Sequence, residues 1–112
     1  MPLLTIETNQ VIADLDELLR STSVLVADLL GKPESYVMVR FTHNENMRFA
    51  GSDEALAFLQ LKSIGLAESA TAQLSAALCE HMTAHLRVPK HRTYIEFIDA
   101  PRMMWGYNGD TF

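Results

Sequence analysis

Pro2 is the first position in this sequence at which the residue type itself offers chemistry. A methionine that precedes a small residue such as proline is normally removed, and loss of Met1 would leave a secondary amine at the head of the chain. An ordinary α-amino group has a pKa of about 8, and an apolar environment that costs the charged form about 2.7 kcal/mol lowers it by about two units. Such an amine is a neutral base near pH 7. Most Met-Pro openings carry no chemistry, so this interpretation depends on the rest of the chain.

Metal and redox chemistry have less support in the sequence. His81 and His85 are four residues apart on a predicted helix, as two zinc ligands can be, but neither an HExxH glutamate nor a third ligand is evident. We interpret both as solvated and predict no metal site. Cys79 is the only cysteine, which excludes an intrachain disulfide and a CxxC pair. No glycine-rich phosphate loop is present, so we expect no cofactor.

Composition and charge limit the class of protein. The 112 residues are 48% hydrophobic and 21% charged, as expected of a single domain with one core. The formal charge is −5 and the basic residues are scattered, which argues against a nucleic-acid partner. The amino terminus lacks the pattern of a signal peptide, and no apolar run reaches the roughly 18 residues of a membrane span. We therefore expect a cytoplasmic protein with no membrane partner, and leaderless secretion is left open.

Two similar units of strand, helix and strand must position the candidate residues. In each unit, apolar side chains at strand and helix spacing predict the elements. The predicted strands are 2–8, 36–41, 56–64 and 93–98, and the predicted helices begin at Asp14 and Glu68 and end at Gly31 and Leu86. Because a helix separates the two strands of each unit, we expect them to pair in parallel.

The two units also resemble each other residue by residue. Leu30, Pro33, Val39 and Phe41 recur 56 positions later as Leu86, Pro89, Ile95 and Phe97. We divide the single domain, residues 1–112, into one repeat of about 2–50 and another of about 55–108. Pseudo-twofold symmetry then places both helices on one face of one sheet. Apolar strand residues on one face or the other predict that the uncovered face is an apolar patch closed by self-association: Leu4, Ile6, Val37, Val39, Ile95 and Phe97.

Several short segments give the chain a specific resemblance to a known family. They are Met1-Pro2 with Thr8-Asn9, Gly31-Lys32-Pro33 with Tyr36, Phe49-Ala50-Gly51-Ser52 with Glu54, Ser63-Ile64-Gly65, Tyr94-Ile95, and Gly106 with Thr111-Phe112. Through these the chain resembles, nearly end to end, the macrophage migration inhibitory factor family of the tautomerase superfamily. The resemblance implies an α/β fold of two βαβ repeats, in a homotrimer whose sheets form a barrel with the helices outside.

The resemblance also implies roles for five residues. Pro2 would move a proton between carbon and oxygen of an α-keto acid or its enol, while Lys32 and the backbone N–H of Ile64 hold the substrate's oxygens. Tyr94 and Glu96 are two apart on a strand and share a face, which in this family forms the wall of a neighbouring subunit's pocket. Keto–enol interconversion requires a base and a nearby positive charge. Without the family, Lys32 is a helix-terminal lysine and Tyr94 a core or interface aromatic.

The chain departs from the family pattern at two places. Glu96 replaces an asparagine, and its carboxylate would repel an anionic keto acid unless it is protonated or paired with a cation such as Lys32. The family's CxxC is replaced by Leu56-Ala57-Phe58-Leu59, so the thiol–disulfide activity should be absent. We expect the apolar segment 103–105 to complete the core or a subunit contact.

We therefore expect a phenylpyruvate tautomerase or dopachrome isomerase that uses Pro2. The alternative is a non-enzymatic, cytokine-like or binding protein with the same fold and a vestigial proline pocket, whose receptor the sequence does not reveal. A third interpretation is a decarboxylase or dehalogenase in which a protonated proline acts with arginines or a charged pocket. Arg40 and Glu96 are the residues that keep this third interpretation open.

Overall fold

A four-stranded sheet forms the centre of the molecule, which a computed structural model describes over residues 1–112. Its strands are β1 (Leu3–Thr8), β2 (Met38–His43), β3 (Ala57–Ile64) and β4 (Thr93–Ala100). They lie in the order β2-β1-β3-β4, with β1 parallel to β2 and β3 parallel to β4, whereas the central pair β1 and β3 is antiparallel. Two parallel pairs joined in this way are related by a pseudo-twofold axis. The predicted α/β fold is confirmed.

Two helices of equal length connect the strands. They are α1 (Leu15–Leu30) and α2 (Thr71–Leu86). Asp14 caps α1 as predicted, since its side chain accepts a hydrogen bond of 3.0 Å from the backbone N–H of Glu17. Gly31 ends α1 with a φ of 62°, a conformation that glycine adopts without strain. The α2 helix begins later than predicted, because residues 68–70 form a 3₁₀ turn. No helix combines the length and apolar character needed to cross a bilayer.

The core lies between the two helices and one face of the sheet. Alternate residues of β1 and β3 are buried, together with one stripe of each helix. The largest buried apolar side chains are Leu4, Ile6, Leu18, Leu59, Leu61, Leu78 and Met82. Both helices therefore cover the same face, as predicted. Full burial of one such side chain contributes about 1.5–3 kcal/mol, so Leu4 and Ile6 hold β1 firmly beside the amino terminus.

The other face of the sheet is more polar than predicted. Val39, Phe41, Ile95 and Phe97 pack against the core cluster, so they do not lie on the uncovered face. That face instead carries Leu3, Thr5, Glu7, Met38, Arg40, Thr42, Phe58, Gln60, Lys62, Tyr94, Glu96 and Ile98. The uncovered face is therefore mixed rather than formed by the predicted apolar residues, because those residues point toward the helices.

Two further segments line the cavities beside the amino terminus, and the first of them differs from the prediction. Pro33 leads into a 3₁₀ turn over Glu34–Tyr36, so β2 begins at Met38 rather than at position 36. After β4 the chain forms a small hairpin, β5 (Gly106–Tyr107) and β6 (Asp110–Thr111). Asn108 and Gly109 form its turn, with φ values of 54° and 78°. Positive φ at both positions is typical of tight hairpin turns.

Candidate active site

The amino-terminal segment is fixed at the end of the sheet. Pro2 is fully buried, and its carbonyl accepts a hydrogen bond of 3.0 Å from the backbone N–H of Met38. Met1 is only half-buried and precedes β1 directly. The head of the chain therefore has a defined position, as a catalytic amino group requires.

The amino group at this end has a pKa below its ordinary value. Burial, which penalises the charged form, is the first cause that lowers the pKa of the Met1 amine from 8.0 to about 6. The positive charge of Lys32, a hydrogen bond with the Lys32 side chain and the charge of Arg102 lower it further. At pH 7 most of this amine is therefore unprotonated and able to accept a proton.

A cavity of about 190 Å³ adjoins the amino terminus and brings two of the predicted residues together. It is lined by Lys32 and Ile64, beside Met1. Arg102 lines it as well, and the sequence analysis did not single out that residue. One end of the site is therefore cationic, which suits a carboxylate or a developing oxyanion.

Lys32 is held by two hydrogen bonds. It follows Gly31, whose left-handed backbone turns the chain away from α1. Its Nζ donates to the Ser63 Oγ at 2.9 Å and to the Ile64 carbonyl at 2.6 Å. Without the family resemblance, the sequence predicts that Lys32 is a solvated residue at a helix end. These two hydrogen bonds do not fit that prediction.

A larger cavity of about 560 Å³ lies on the other side of the amino terminus. It extends from Pro2 to Lys62, and most of its lining is apolar. Aromatic side chains supply much of that lining: Tyr36, Trp105, Tyr107 and Phe112. Three of the rings pack together, with centroids 5.6 Å apart for Tyr36 and Tyr107 and 5.0 Å apart for Tyr107 and Phe112. The cavity suits a substrate with an aromatic or other planar group.

The carboxy-terminal segment lines the larger cavity, a role that was not predicted from the sequence. Met103 and Met104 are 81% and 77% exposed, so within the chain they do not complete the core. Met104 and Trp105 instead line the larger cavity. The Asn108-Gly109 pair was the available signal, since it predicts a hairpin that returns the last residues to the site.

Tyr94 lies away from the amino terminus of its own chain. Tyr94 pairs with Phe58 near the start of β3, whereas Leu3, next to Pro2, pairs with Lys62 near its end. Tyr94 is 66% exposed. Its ring centroid lies 4.5 Å from that of Phe49.

Glu96 shares the uncovered face with Tyr94, as the spacing predicted. Its carboxylate accepts a hydrogen bond of 2.8 Å from the side-chain amide of Gln60. Within the chain, Glu96 therefore has a neutral partner rather than Lys32.

The whole chain matches the family model described as macrophage migration inhibitory factor, over residues 1–112. The chain belongs to that family. A homologue from Trichuris trichiura is 40% identical over 114 residues, which cover 100% of both proteins. The structure of a Prochlorococcus marinus homologue superposes with a TM-score of 0.93 at 40% identity and covers 98% of each chain. The Trichinella spiralis structure gives 0.93 at 38% identity, over 98% of this chain and 99% of its own.

Membership in the macrophage migration inhibitory factor family confirms the predicted resemblance and places the fold in the tautomerase superfamily. It is in keeping with a tautomerase-like or cytokine-like protein. In this member of the family, the cationic and aromatic cavities meet at the amino terminus.

One side chain outside this site was interpreted wrongly from the sequence. His81 is not solvated: it is half-buried, and its Nε2 lies 2.9 Å from the Oγ1 of the buried Thr22. Burial, with a smaller effect of the charge of His85, lowers the pKa of His81 to about 4. His85 is exposed, and its ring centroid lies 4.2 Å from that of His81. The molecule holds no group of three or more side chains suited to a metal ion.

Proposed function

We propose that this protein is a keto–enol tautomerase for phenylpyruvate-like or dopachrome-like substrates, with the Pro2 nitrogen as its base once Met1 is removed. One observation carries the proposal. The amino-terminal nitrogen lies between Lys32 and an aromatic cavity, where its pKa falls to about 6. The Pro2 nitrogen is one residue further along the same buried segment, and Pro2 lines the aromatic cavity.

The proposed reaction moves one proton and changes no oxidation state. The neutral Pro2 nitrogen takes a proton from the carbon next to the substrate's keto group, and the electron pair of that C–H bond forms the enolate. Lys32 and the backbone N–H of Ile64 would stabilise the negative charge that develops on oxygen. The protonated Pro2 then returns the proton to that oxygen and gives the enol, and the reverse sequence gives the keto form.

We also propose a homotrimer, in which the pocket receives Tyr94 and Glu96 from a neighbouring subunit. Two features support it: membership in the family, and the exposed position of both side chains, of which Tyr94 lies far from its own amino terminus. Because Gln60 is a neutral partner, the charge of Glu96 is not cancelled within its own chain. A carboxylate about 6 Å from an anionic substrate would cost on the order of 3 kcal/mol, which favours weak turnover of phenylpyruvate.

The test is to measure phenylpyruvate conversion by ultraviolet absorbance, with the intact mass recorded to establish that Met1 is absent. We expect Pro2→Gly to lower kcat/KM at least about 100-fold while the circular dichroism spectrum is retained. A matched control inserts one alanine before Pro2, which keeps the ring but converts its nitrogen to an amide. We expect Pro2→Gly and the alanine insertion to lose kcat/KM to a similar extent. An active Pro2→Gly protein would rule out this base, and an inactive wild type lacking Met1 would favour the binding-protein alternative.

A further inference from the structure

Lys62 is a cation without an anionic partner in the larger cavity. Its side chain lies on the uncovered face of β3, and its Nζ is 5.3 Å from the ring centroid of Trp105. The only ion pair in the molecule joins Arg20 and Asp16, and no hydrogen bond from the Lys62 ammonium is formed. An unpaired ammonium beside an indole and apolar side chains can bind an added carboxylate through a charge-assisted hydrogen bond.

The two cavities at the amino terminus hold different cations. The smaller one contains Lys32 and Arg102, and the larger one contains Lys62 as its only charged side chain. Both are lined by Tyr36 and Phe112. A substrate whose keto acid group lies beside Lys32 would therefore extend along an apolar wall toward a second positive charge.

We infer that Lys62 determines specificity by binding an anionic group at the far end of the substrate. The substrate class is then an aryl 2-oxo acid that carries a second carboxylate on its ring, rather than phenylpyruvate itself. This inference rests on the proposed function for the orientation of the substrate. The second carboxylate is argued from Lys62, which is unpaired within its own chain, and requires that Glu96 of a neighbouring subunit does not pair with Lys62.

The kinetic test compares phenylpyruvate with 4-carboxyphenylpyruvate. We expect the wild type to favour the dianion, and Lys62→Met to reduce the ratio of the two kcat/KM values about tenfold, mainly through KM. Lys62→Arg keeps the charge and should retain most of the ratio. Lys90→Met removes an exposed lysine outside both cavities and controls for net charge. An unchanged ratio in Lys62→Met would overturn the inference.

A binding test separates this inference from the proposed reaction. Trp105 is the only tryptophan and lines the cavity, so its fluorescence reports binding directly. The probes are unreactive: phenylacetate and 4-carboxyphenylacetate. We expect the second to bind about tenfold more tightly, with the difference lost in Lys62→Met. If turnover is absent but this difference holds, the reaction is wrong and the anion site stands. Equal binding of both probes by the wild type would refute the anion site.

Discussion

At the scale of single residues, one ammonium group supports both halves of the proposed chemistry. An ammonium has three donors, and Lys32 commits two of them to the Ser63 Oγ and the Ile64 carbonyl. The third remains for the amino terminus, where Lys32 lowers the pKa of the Met1 amine. In the proposed reaction, the same charge would lower the pKa of the Pro2 base and stabilise the negative charge on an enolate oxygen.

We expect Lys32→Met to shift the pH dependence of kcat/KM. The base acts unprotonated, so the wild-type kcat/KM should rise with pH through a pKa below the ordinary value of about 8, because burial and Lys32 lower the pKa of the amino group at this end of the chain. Without the lysine the charged amine is less disfavoured, so the rise should move toward pH 8, and the plateau should fall about 100-fold. Phenylpyruvate kinetics from pH 5 to 9 measure both effects. Lys32→Arg keeps the charge and should keep the low pKa. A Lys32→Met profile that rises at the same pH as the wild-type profile would contradict this role.

At the scale of elements, a histidine joins the two helices. The Oγ1 of Thr22 on α1 is fully buried, and its partner is His81 of α2. Since this ring is partly desolvated and adjoins His85, its protonated form is disfavoured in the folded protein. The helix pair should therefore weaken in acid.

The helices and strands followed from local patterns, whereas this contact did not. Asp14 and Gly31 gave the bounds of α1, because capping and left-handed termination are properties of neighbouring residues. The pairing of Thr22 with His81 joins positions 59 apart and depends on the rotation of two packed helices. Likewise, alternation identified the strands but did not show that all their apolar sides face the same way. The position of the carboxy-terminal residues beside the larger cavity depends on the hairpin of β5 and β6, which pair only in the folded chain.

We expect His81 to make the free energy of unfolding depend on pH. Its pKa is about 4 in the folded protein and 6.5 in the unfolded chain, so only the unfolded chain gains the proton between these values. Stability should therefore be complete above about pH 6.5 and fall toward pH 4, by about 1–2 kcal/mol once the half-exposed ring is allowed for. Urea unfolding at pH 7, 5.5 and 4.5 measures the loss. His81→Gln should flatten the dependence, and His85→Gln should flatten it less. If the free energy of unfolding fell equally with pH in wild type and in His81→Gln, His81 would not be the group responsible.

At the scale of the whole molecule, each chain carries the proposed site in two separate halves. Pro2 and Lys32 lie at one end of the sheet, the exposed Tyr94 lies near the other, and the exposed Glu96 lies between them. Because the uncovered face mixes polar and apolar side chains, burial of an apolar patch is not a sufficient reason for assembly. The stronger reason for assembly is that a neighbour's Tyr94 would complete a site that one chain leaves open.

We expect light scattering to give a mass of about 38 kDa, three times the 12.6 kDa of the chain. A mass near 12.6 kDa would rule out the trimer. Mass alone does not show which subunit supplies Tyr94, so the second measurement mixes two inactive proteins. We expect Pro2→Gly and Tyr94→Ala to be nearly inactive by themselves. Refolded together in equal amounts, they should recover activity.

The expected amount of recovery follows from the geometry. If each site takes Pro2 from one subunit and Tyr94 from the next, half of the sites in a random mixture have an intact Pro2. Half of those face an intact Tyr94, so about one quarter of the wild-type activity should return. If Tyr94 acted on the Pro2 of its own chain, every site would carry one defect and no activity would return. Pro2→Gly refolded with the double variant Pro2→Gly/Tyr94→Ala is the matched control and should stay inactive. Recovery in the first mixture alone would therefore assign the two halves of the site to different subunits.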